Sequence, residues 1–524
     1  MTRALLLPWC LGLLGSFIAE AALRPASAPP WRRPVATLAV HLGSWGVLYG
    51  CFTLVLQRPW FAMVLFLALQ LVVVQSSNAK SKTLREPFLC QDFEYFLDAI
   101  RHPRLYIPFF GIGLAIGASL AGLATIVGFM VLEPSLLSRH GTFDFLIGTL
   151  LVIALSALPL VVGLRCLPAC RLDPVDDTHR LGLISALWAY GLLARHPLEA
   201  SDSPYTPAPE PAPSRERLPH LVVVQSESFF DPRPWHGGLR DDLLANLDAL
   251  TETSLMHGSL RVPAWGANTV RTETAVLTGL DRDTLGVHRF NPYHQLARHR
   301  VPSLAGELKR LGYRTVCLHP YAASFYQRDQ VMPQLGFDDF IDIRAFTAAD
   351  YCGQYVGDLA LVDKVGSLLN EPDNEPLFVF VITMENHGPL QFDDRAEDAA
   401  RDLLSADAPP LPDDCGELAS YLAHLRNADR MAACLRRQLE ATPRGGLLCW
   451  YGDHVPIMPE VYRHYGEPDG DTPYLLWSSH GRGSRPQAFT PLAAEQLSQR
   501  IWQAVIDQAQ HAHDGSNQDH REQA

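Results

Sequence analysis

Four short apolar runs in the second half of this chain end in side chains able to do acid–base and metal chemistry. Leu221–Val224 leads into Gln225-Ser226-Glu227-Ser228, and Thr315–Leu318 into His319-Pro320-Tyr321. Leu377–Ile382 leads into Thr383-Met384-Glu385-Asn386-His387-Gly388, and Leu447–Trp450 into Tyr451-Gly452-Asp453-His454. Continuous apolar runs of this length read as buried parallel strands. Ligands of open α/β sheets bind beyond the carboxyl ends of such strands, so the four clusters are expected to converge. One histidine after one strand is usually structural. Four strand ends, each with a carboxylate or an imidazole, need another explanation.

Glu227, Asp453 and His454 offer two carboxylates and an imidazole, a set suited to one divalent ion: manganese first, with magnesium or zinc as alternatives. Adjacent Asp453 and His454 reach one ion only from a turn, which Gly452 supplies. The nucleophile candidate is Thr269 in Gly266-Ala267-Asn268-Thr269-Val270-Arg271-Thr272-Glu273-Thr274, a turn feeding a helix. A hydroxyl there lies in the partial positive field that also favours phosphate. Read alone, Asn268 or Thr269 is simply a helix cap. Coordination to a metal ion is one way to activate a threonine hydroxyl, and the same ion neutralises charge on a phosphoryl group. Arg328, in Ser324-Phe325-Tyr326-Gln327-Arg328-Asp329, has the fork to clamp a phosphate oxygen, with a surface ion pair as the alternative. His387 has the chemistry of a general acid or base.

These parts need a domain to hold them. The chain has 524 residues and a formal net charge of -13. No basic stripe is present to neutralise phosphates, which excludes a nucleic-acid partner. Ten cysteines without CxxC pairs exclude a zinc ribbon or a disulfide scaffold, while a Cys352–Cys415 disulfide is left open. Asp241–Leu250, Ser303–Leu311, Val356–Leu369 and Leu418–Leu439 read as helices between the strands. Together they give an α/β domain over 219–508, with a polar tail expected to be disordered over 509–524.

Five apolar stretches precede it: Leu5–Leu23, Val35–Leu56, Trp60–Val74, Tyr106–Leu132 and Phe145–Leu167. Most approach or exceed the roughly 20 residues of a membrane helix, giving a transmembrane domain over 1–170. Residues 171–218 read as a juxtamembrane helix, Leu181–Ala194, and a proline-rich extended spacer. Lys and Arg cluster after the first, third and fifth stretches, so the loop charges put the segment after the fifth in the cytoplasm.

The chain resembles the lipoteichoic acid synthases and bacterial phosphoglycerol transferases of the sulfatase-like, alkaline-phosphatase superfamily. The resemblance rests on Glu227, Gly-Ala-Asn-Thr269-Val-Arg-Thr-Glu, Ser-Phe-Tyr326-Gln-Arg328-Asp, Glu-Asn-His387 and Tyr-Gly-Asp453-His454, in that order. It covers about Leu218 to Trp502, and five N-terminal spans match the synthase layout. It implies that Thr269 is the nucleophile and that Glu227, Thr269, Asp453 and His454 hold one divalent ion, typically manganese. His319, Tyr326, Arg328 and His387 would then line the phosphoglycerol pocket. The implied donor is phosphatidylglycerol, and the implied acceptor is an envelope glycan or glycolipid. Tyr326 stands where the lipoteichoic acid enzymes carry Trp, which points to a different acceptor. The resemblance also implies a bacterial cell-membrane protein whose domain faces outward, against the loop charges.

Other classes make different demands. A formylglycine sulfatase needs a Cys-x-Pro-x-Arg context, and Cys166-Leu167-Pro168-Ala169-Cys170-Arg171 has its Arg one place too late. A two-metal phosphatase needs a second set of Asp and His ligands, which is not assignable. A phosphoethanolamine transferase shares the anchor and the Thr nucleophile and is the nearest alternative. A non-enzymatic membrane scaffold would not need the complete Glu/Thr/Asp/His set.

Overall fold

The N-terminal apolar stretches are helices in the computed structural model of the chain, which describes residues 1–94, 112–200, 203–208, 213–372, 375–390, 401–481 and 488–522. They are α1 (Thr2–Glu20), α2 (Val35–Leu56), α3 (Pro59–Leu84), α4 (Ile112–Leu132) and α5 (Thr142–Arg165). Among the described residues, five helices are long and apolar enough to cross a membrane. Of the expected fourth stretch, residues 106–111 lie outside the described residues. The third helix runs ten residues past Val74, through the polar Gln75–Lys82 stretch.

Small residues let these helices approach closely, as expected where lipid supplies no hydrophobic drive between them. A side chain at Gly46 of α2 would lie 2.0 Å from Ser156 Oγ of α5. Trp45 Nε1 donates to Trp9 O at 3.0 Å, and the Tyr49 hydroxyl donates to Leu5 O at 2.9 Å. Two short helices follow, α6 (Pro174–Leu181) and α7 (Leu183–Leu193). The second lies within the stretch Leu181–Ala194 read as a helix. Ser185 Oγ donates to Thr37 O and Trp188 Nε1 to Ser44 Oγ, seating α7 on α2. The first compact unit accordingly runs from Met1 to Pro197 and the second from Leu198 to Ala524.

The second unit is built on an eight-stranded sheet with the order β10-β2-β9-β8-β1-β7-β3-β4. Its strands are β1 (His220–Ser226), β2 (Met256–Arg261), β3 (Arg314–Leu318), β4 (Asp339–Ile341), β7 (Leu377–Ile382), β8 (Gly446–Gly452), β9 (Thr472–Ser478) and β10 (Leu492–Ala493). A separate hairpin is formed by β5 (Tyr351–Cys352) and β6 (Tyr355–Val356). β8, β1, β7, β3 and β4 are mutually parallel, while β9 runs antiparallel to both β8 and β2.

The helices used below are α8 (Ala245–Glu252), α9 (Thr269–Thr278), α10 (Leu304–Leu311), α11 (Arg328–Gln334), α12 (Asp358–Leu369), α13 (Gly416–Ala441) and α14 (Ala494–Glu522). Alternate residues of β1 feed opposite cores. Val222 and Val224 pack with α8, α12 and α13, whereas Leu221 and Val223 pack with α9, α10 and α14. Burial on both faces is why these strands read as unbroken apolar runs.

The proline-rich stretch is packed where it is described, because its aromatic residue finds a slot in the second core. Tyr205 is buried, and its hydroxyl donates to Leu277 O at 3.1 Å and meets Ser498 Oγ at 2.8 Å. Trp502 Nε1 donates to Thr206 O at 3.0 Å. At the other end, α14 carries Leu497, Ile501, Val505 and Ile506 on its inner face and runs to Glu522.

Candidate metal centre and nucleophile

Strand register brings the first ligands together. β1 lies between β7 and β8 with Ser226 opposite Gly452, so Glu227 and Asp453 leave adjacent strand ends side by side. The Glu227 backbone N–H donates to Thr383 Oγ1 at 2.9 Å, and the Ser228 N–H donates to Asp453 Oδ1 at 2.8 Å. Ser228 holds φ 52°, a left-handed conformation that costs a non-glycine residue on the order of 1–3 kcal/mol. Gly452 is required by close approach: a Cβ there would lie 1.9 Å from Phe229 O.

Glu227, Asp453 and His454 are all buried, and their ligand atoms lie within 4.8 Å of one another. His454 Nδ1 lies 3.0 Å from Val455 O, which fixes Nδ1 as the protonated nitrogen and leaves the Nε2 lone pair for a ligand. Nε2 is 3.4 Å from Asp453 Oδ2 and 3.6 Å from Glu227 Oε1. Asp453 Oδ2 is buried with no hydrogen-bond partner among the described residues. Burial and the neighbouring Asp453 charge push the Glu227 carboxyl up to about 8. Two buried carboxylates, an orphaned oxygen and an imidazole lone pair facing one point fit a divalent cation. The set contains oxygen and nitrogen only.

Thr269 opens α9, and its Oγ1 is 3.5 Å from His454 Nε2. That separation is long for a direct hydrogen bond and suits two ligands sharing an ion at about 2.0–2.2 Å from each. The capping alternative for Asn268 does not hold, since Asn268 sits at φ 65° and makes no side-chain cap bond. All ten residues of α9 are buried. Thr272 Oγ1 donates to Asp453 O at 2.8 Å, tying the nucleophile's helix to the loop that carries the ligands.

The other expected pocket residues fall into two groups. Arg328 and His319 are buried together, with Arg328 Nη1 facing His319 Nε2 at 3.3 Å and His319 Nδ1 facing Ile382 O at 3.3 Å. Burial and the Arg328 charge hold His319 well below the usual imidazole range, so it is neutral. Arg328 is 1 % exposed, which removes the surface-ion-pair alternative. Its guanidinium lies 5.4 Å from the Tyr326 ring centroid, a cation–π contact, and Tyr326 itself holds φ 55°.

His387 follows β7. Its Nδ1 lies 2.7 Å from Gly388 O and 3.3 Å from the Tyr355 hydroxyl, leaving Nε2 for proton exchange. Burial lowers its pKa below the usual value, opposed by the Asp453 charge.

Sequence reasoning quoted Glu273 only as part of a motif and gave it no role. It accepts from Arg328 Nε at 3.2 Å and Nη2 at 2.8 Å, from the Tyr293 hydroxyl, and from Gln225 Nε2 at 3.3 Å. The available signal was its i+4 spacing from Thr269 on the expected helix.

A family model described as sulfatase matches residues 219–505. The chain belongs to the sulfatase family. It is 27 % identical to the capsular polysaccharide biosynthesis protein RkpI of Rhizobium meliloti, over 82 % of this chain and 79 % of that one. Among solved structures, the lipooligosaccharide phosphoethanolamine transferase EptA of Neisseria meningitidis is 14 % identical and aligns over 90 % of this chain and 88 % of its own, with TM-score 0.54. That likeness spans both the apolar helices and the sulfatase-family domain. The Streptococcus pyogenes phosphoglycerol transferase GacH, solved with sn-glycerol-1-phosphate, is 19 % identical over 56 % of this chain and 76 % of its own, with TM-score 0.45.

Proposed function

We propose that the chain is a membrane-anchored, divalent-metal-dependent phosphoglycerol transferase of the bacterial cell membrane, its sulfatase-family domain facing outward. The donor is phosphatidylglycerol and the acceptor a hydroxyl of an envelope glycan or glycolipid. The carrying observation is the alignment of Thr269 Oγ1 with the lone pair of His454 Nε2 beside buried Glu227 and Asp453. Threonine in place of the cysteine or serine needed for formylglycine supports phosphoryl transfer over sulfate-ester hydrolysis. The relative named for capsular polysaccharide biosynthesis supports an envelope glycan as acceptor.

Glu227, Thr269, Asp453 and His454 would hold the ion, manganese being the first choice, and it would supply charge neutralisation at the phosphoryl oxygens. In the first half-reaction the Thr269 Oγ–P bond forms and the P–O bond to diacylglycerol breaks. Thr269 releases its proton to solvent, and the leaving oxygen takes one from the cationic form of His387. In the second half, neutral His387 takes the proton of the incoming hydroxyl, the new O–P bond forms, and the Thr269 Oγ–P bond breaks. Thr269 then recovers its proton from solvent. An anionic phosphodiester beside His387 raises its lowered pKa, so the cation needed first is available when donor is bound. Arg328, His319 and Tyr326 shape the headgroup end of the pocket.

The test is full-length protein in detergent with phosphatidylglycerol or phosphatidylethanolamine, following diacylglycerol release. Preference for phosphatidylglycerol supports the reading. Preference for phosphatidylethanolamine reassigns the chain to phosphoethanolamine transfer, and release of inorganic sulfate from a sulfate ester contradicts both.

A further inference from the structure

Beyond the carboxyl end of β7, a second set of ligand-type side chains converges, separate from the Glu227 centre. Cys352 of the β5–β6 hairpin, Glu385 of the loop after β7 and His424 of α13 bring a sulfur, a carboxylate oxygen and an imidazole nitrogen within 4.8 Å of one another. These residues come from segments distant in sequence, so no local turn gathers them. Glu385 is buried, while Cys352 and His424 are half-buried, leaving a route in from solvent.

Two neighbours point to the same spot. Asn427, three residues after His424 on α13, donates its Nδ2 to Glu385 Oε1 at 2.5 Å and lies 3.7 Å from Cys352 Sγ. One donor nitrogen therefore already sits against both acceptors, where a cation would sit. Asp358, at the start of α12, donates its backbone N–H to Glu385 Oε2 at 2.7 Å. Its own side chain is buried, and Oδ1 has no hydrogen-bond partner among the described residues. Glu385 thus sits beside a thiol and an imidazole, with buried Asp358 held against it through its backbone N–H.

We propose that Cys352, Glu385 and His424 form a second divalent-cation site, selective for a thiophilic ion such as Zn2+. Sulfur, nitrogen and oxygen together match a tetrahedral zinc site with three protein ligands, the fourth position going to water. Zinc bonds of about 2.0–2.3 Å at tetrahedral angles put donors about 3.3–3.8 Å apart, a separation compatible with ligand atoms gathered this closely. The ion would clamp the two segments that position His387. Glu385 lies two residues before it, and Cys352 lies three before Tyr355, whose hydroxyl is 3.3 Å from His387 Nδ1. The proposal does not depend on which headgroup is transferred.

Cobalt distinguishes the two centres, because only this one has a sulfur ligand. Full-length protein, stripped of metal and titrated with Co2+, is expected to develop a thiolate-to-cobalt charge-transfer absorption. The band should persist in Asp453→Asn and vanish in both Cys352→Ser and His424→Gln, each checked for an intact unfolding transition. Two variants at different ligands guard against one failing to fold. A wild-type protein that binds cobalt without the band overturns the proposal, as does a band that survives Cys352→Ser.

Discussion

Glu273 receives Arg328 through both carboxylate oxygens, at 3.2 Å from Nε and 2.8 Å from Nη2, one helical turn beyond Thr269. Both side chains are essentially inaccessible, at 0 % and 1 %. Arg328 therefore braces the helix that presents the nucleophile while its Nη1 meets His319. A buried pair of this kind is worth little against an apolar replacement but is costly to break on one side.

Arg328→Ala and Glu273→Gln should each destabilise the domain by about 3–5 kcal/mol, since each strands a buried charge. Arg328→Lys should recover only part of the loss, lacking the two-pronged geometry. Thermal unfolding of the full-length protein in detergent checks this. Wild-type stability in Arg328→Ala would mean that the pair does not form.

Thr269→Ala should abolish transfer while the domain stays folded, because a hydroxyl is lost without a large core volume. Thr269→Ser keeps the oxygen and should retain part of the activity. Near-normal turnover in the alanine variant would reduce Thr269 to a structural helix start.

Chelation should eliminate activity, added manganese should restore it, and Asp453→Asn should mimic chelation. The pH dependence follows from Glu227, whose carboxyl is raised from 4.5 to about 8 without the ion. Protonation stabilises the metal-free fold fully below 4.5, and that contribution is lost as pH rises through about 8. Metal-free protein should thus unfold more readily at pH 8 than at pH 5. Metal affinity should rise over the same interval, with proton release on binding. Calorimetry in two buffers of different ionisation heat reads that release, and pH-independent affinity across this window would contradict it.

His387→Ala should lower turnover by about 10²–10⁴-fold with the metal still bound. The acceptor half-reaction needs the neutral ring, so its rate should fall toward acid, with the midpoint set by burial, which lowers the His387 pKa, against the phosphodiester on Thr269, which raises it. Single-turnover transfer to acceptor, measured against pH, reads this limb. A full rate in the alanine variant would remove His387 from proton transfer.

Much of the domain was legible because β1, β3, β7 and β8 are buried on both faces and so read as plain apolar runs. Their polar ends gave Glu227, His319, His387, Asp453 and His454 for the same reason. β2 and β9 escaped notice. β2 is interrupted by His257, Gly258 and Ser259, and β9 carries Pro473, which ordinarily argues against an interior strand. Pro473 lies opposite Ser259 of β2 and just outside the β8 pairing, which starts at Tyr474. Glu273 was opaque in a different way: nothing in its helix announces that the charge is buried, since its partner lies 55 positions away. The packing of Tyr205 was likewise invisible, because a proline-rich stretch has no periodicity to show which side chain is covered.

The central claim is a covalent relay through Thr269, and intact mass measurement tests it most directly. Metal-loaded protein incubated with phosphatidylglycerol and no acceptor should gain one glycerophosphoryl group, mapped by peptide fragmentation to Thr269 and discharged when acceptor is added. Diacylglycerol released stoichiometrically while Thr269 stays unmodified, or the same adduct on the Thr269→Ala variant, would contradict the account.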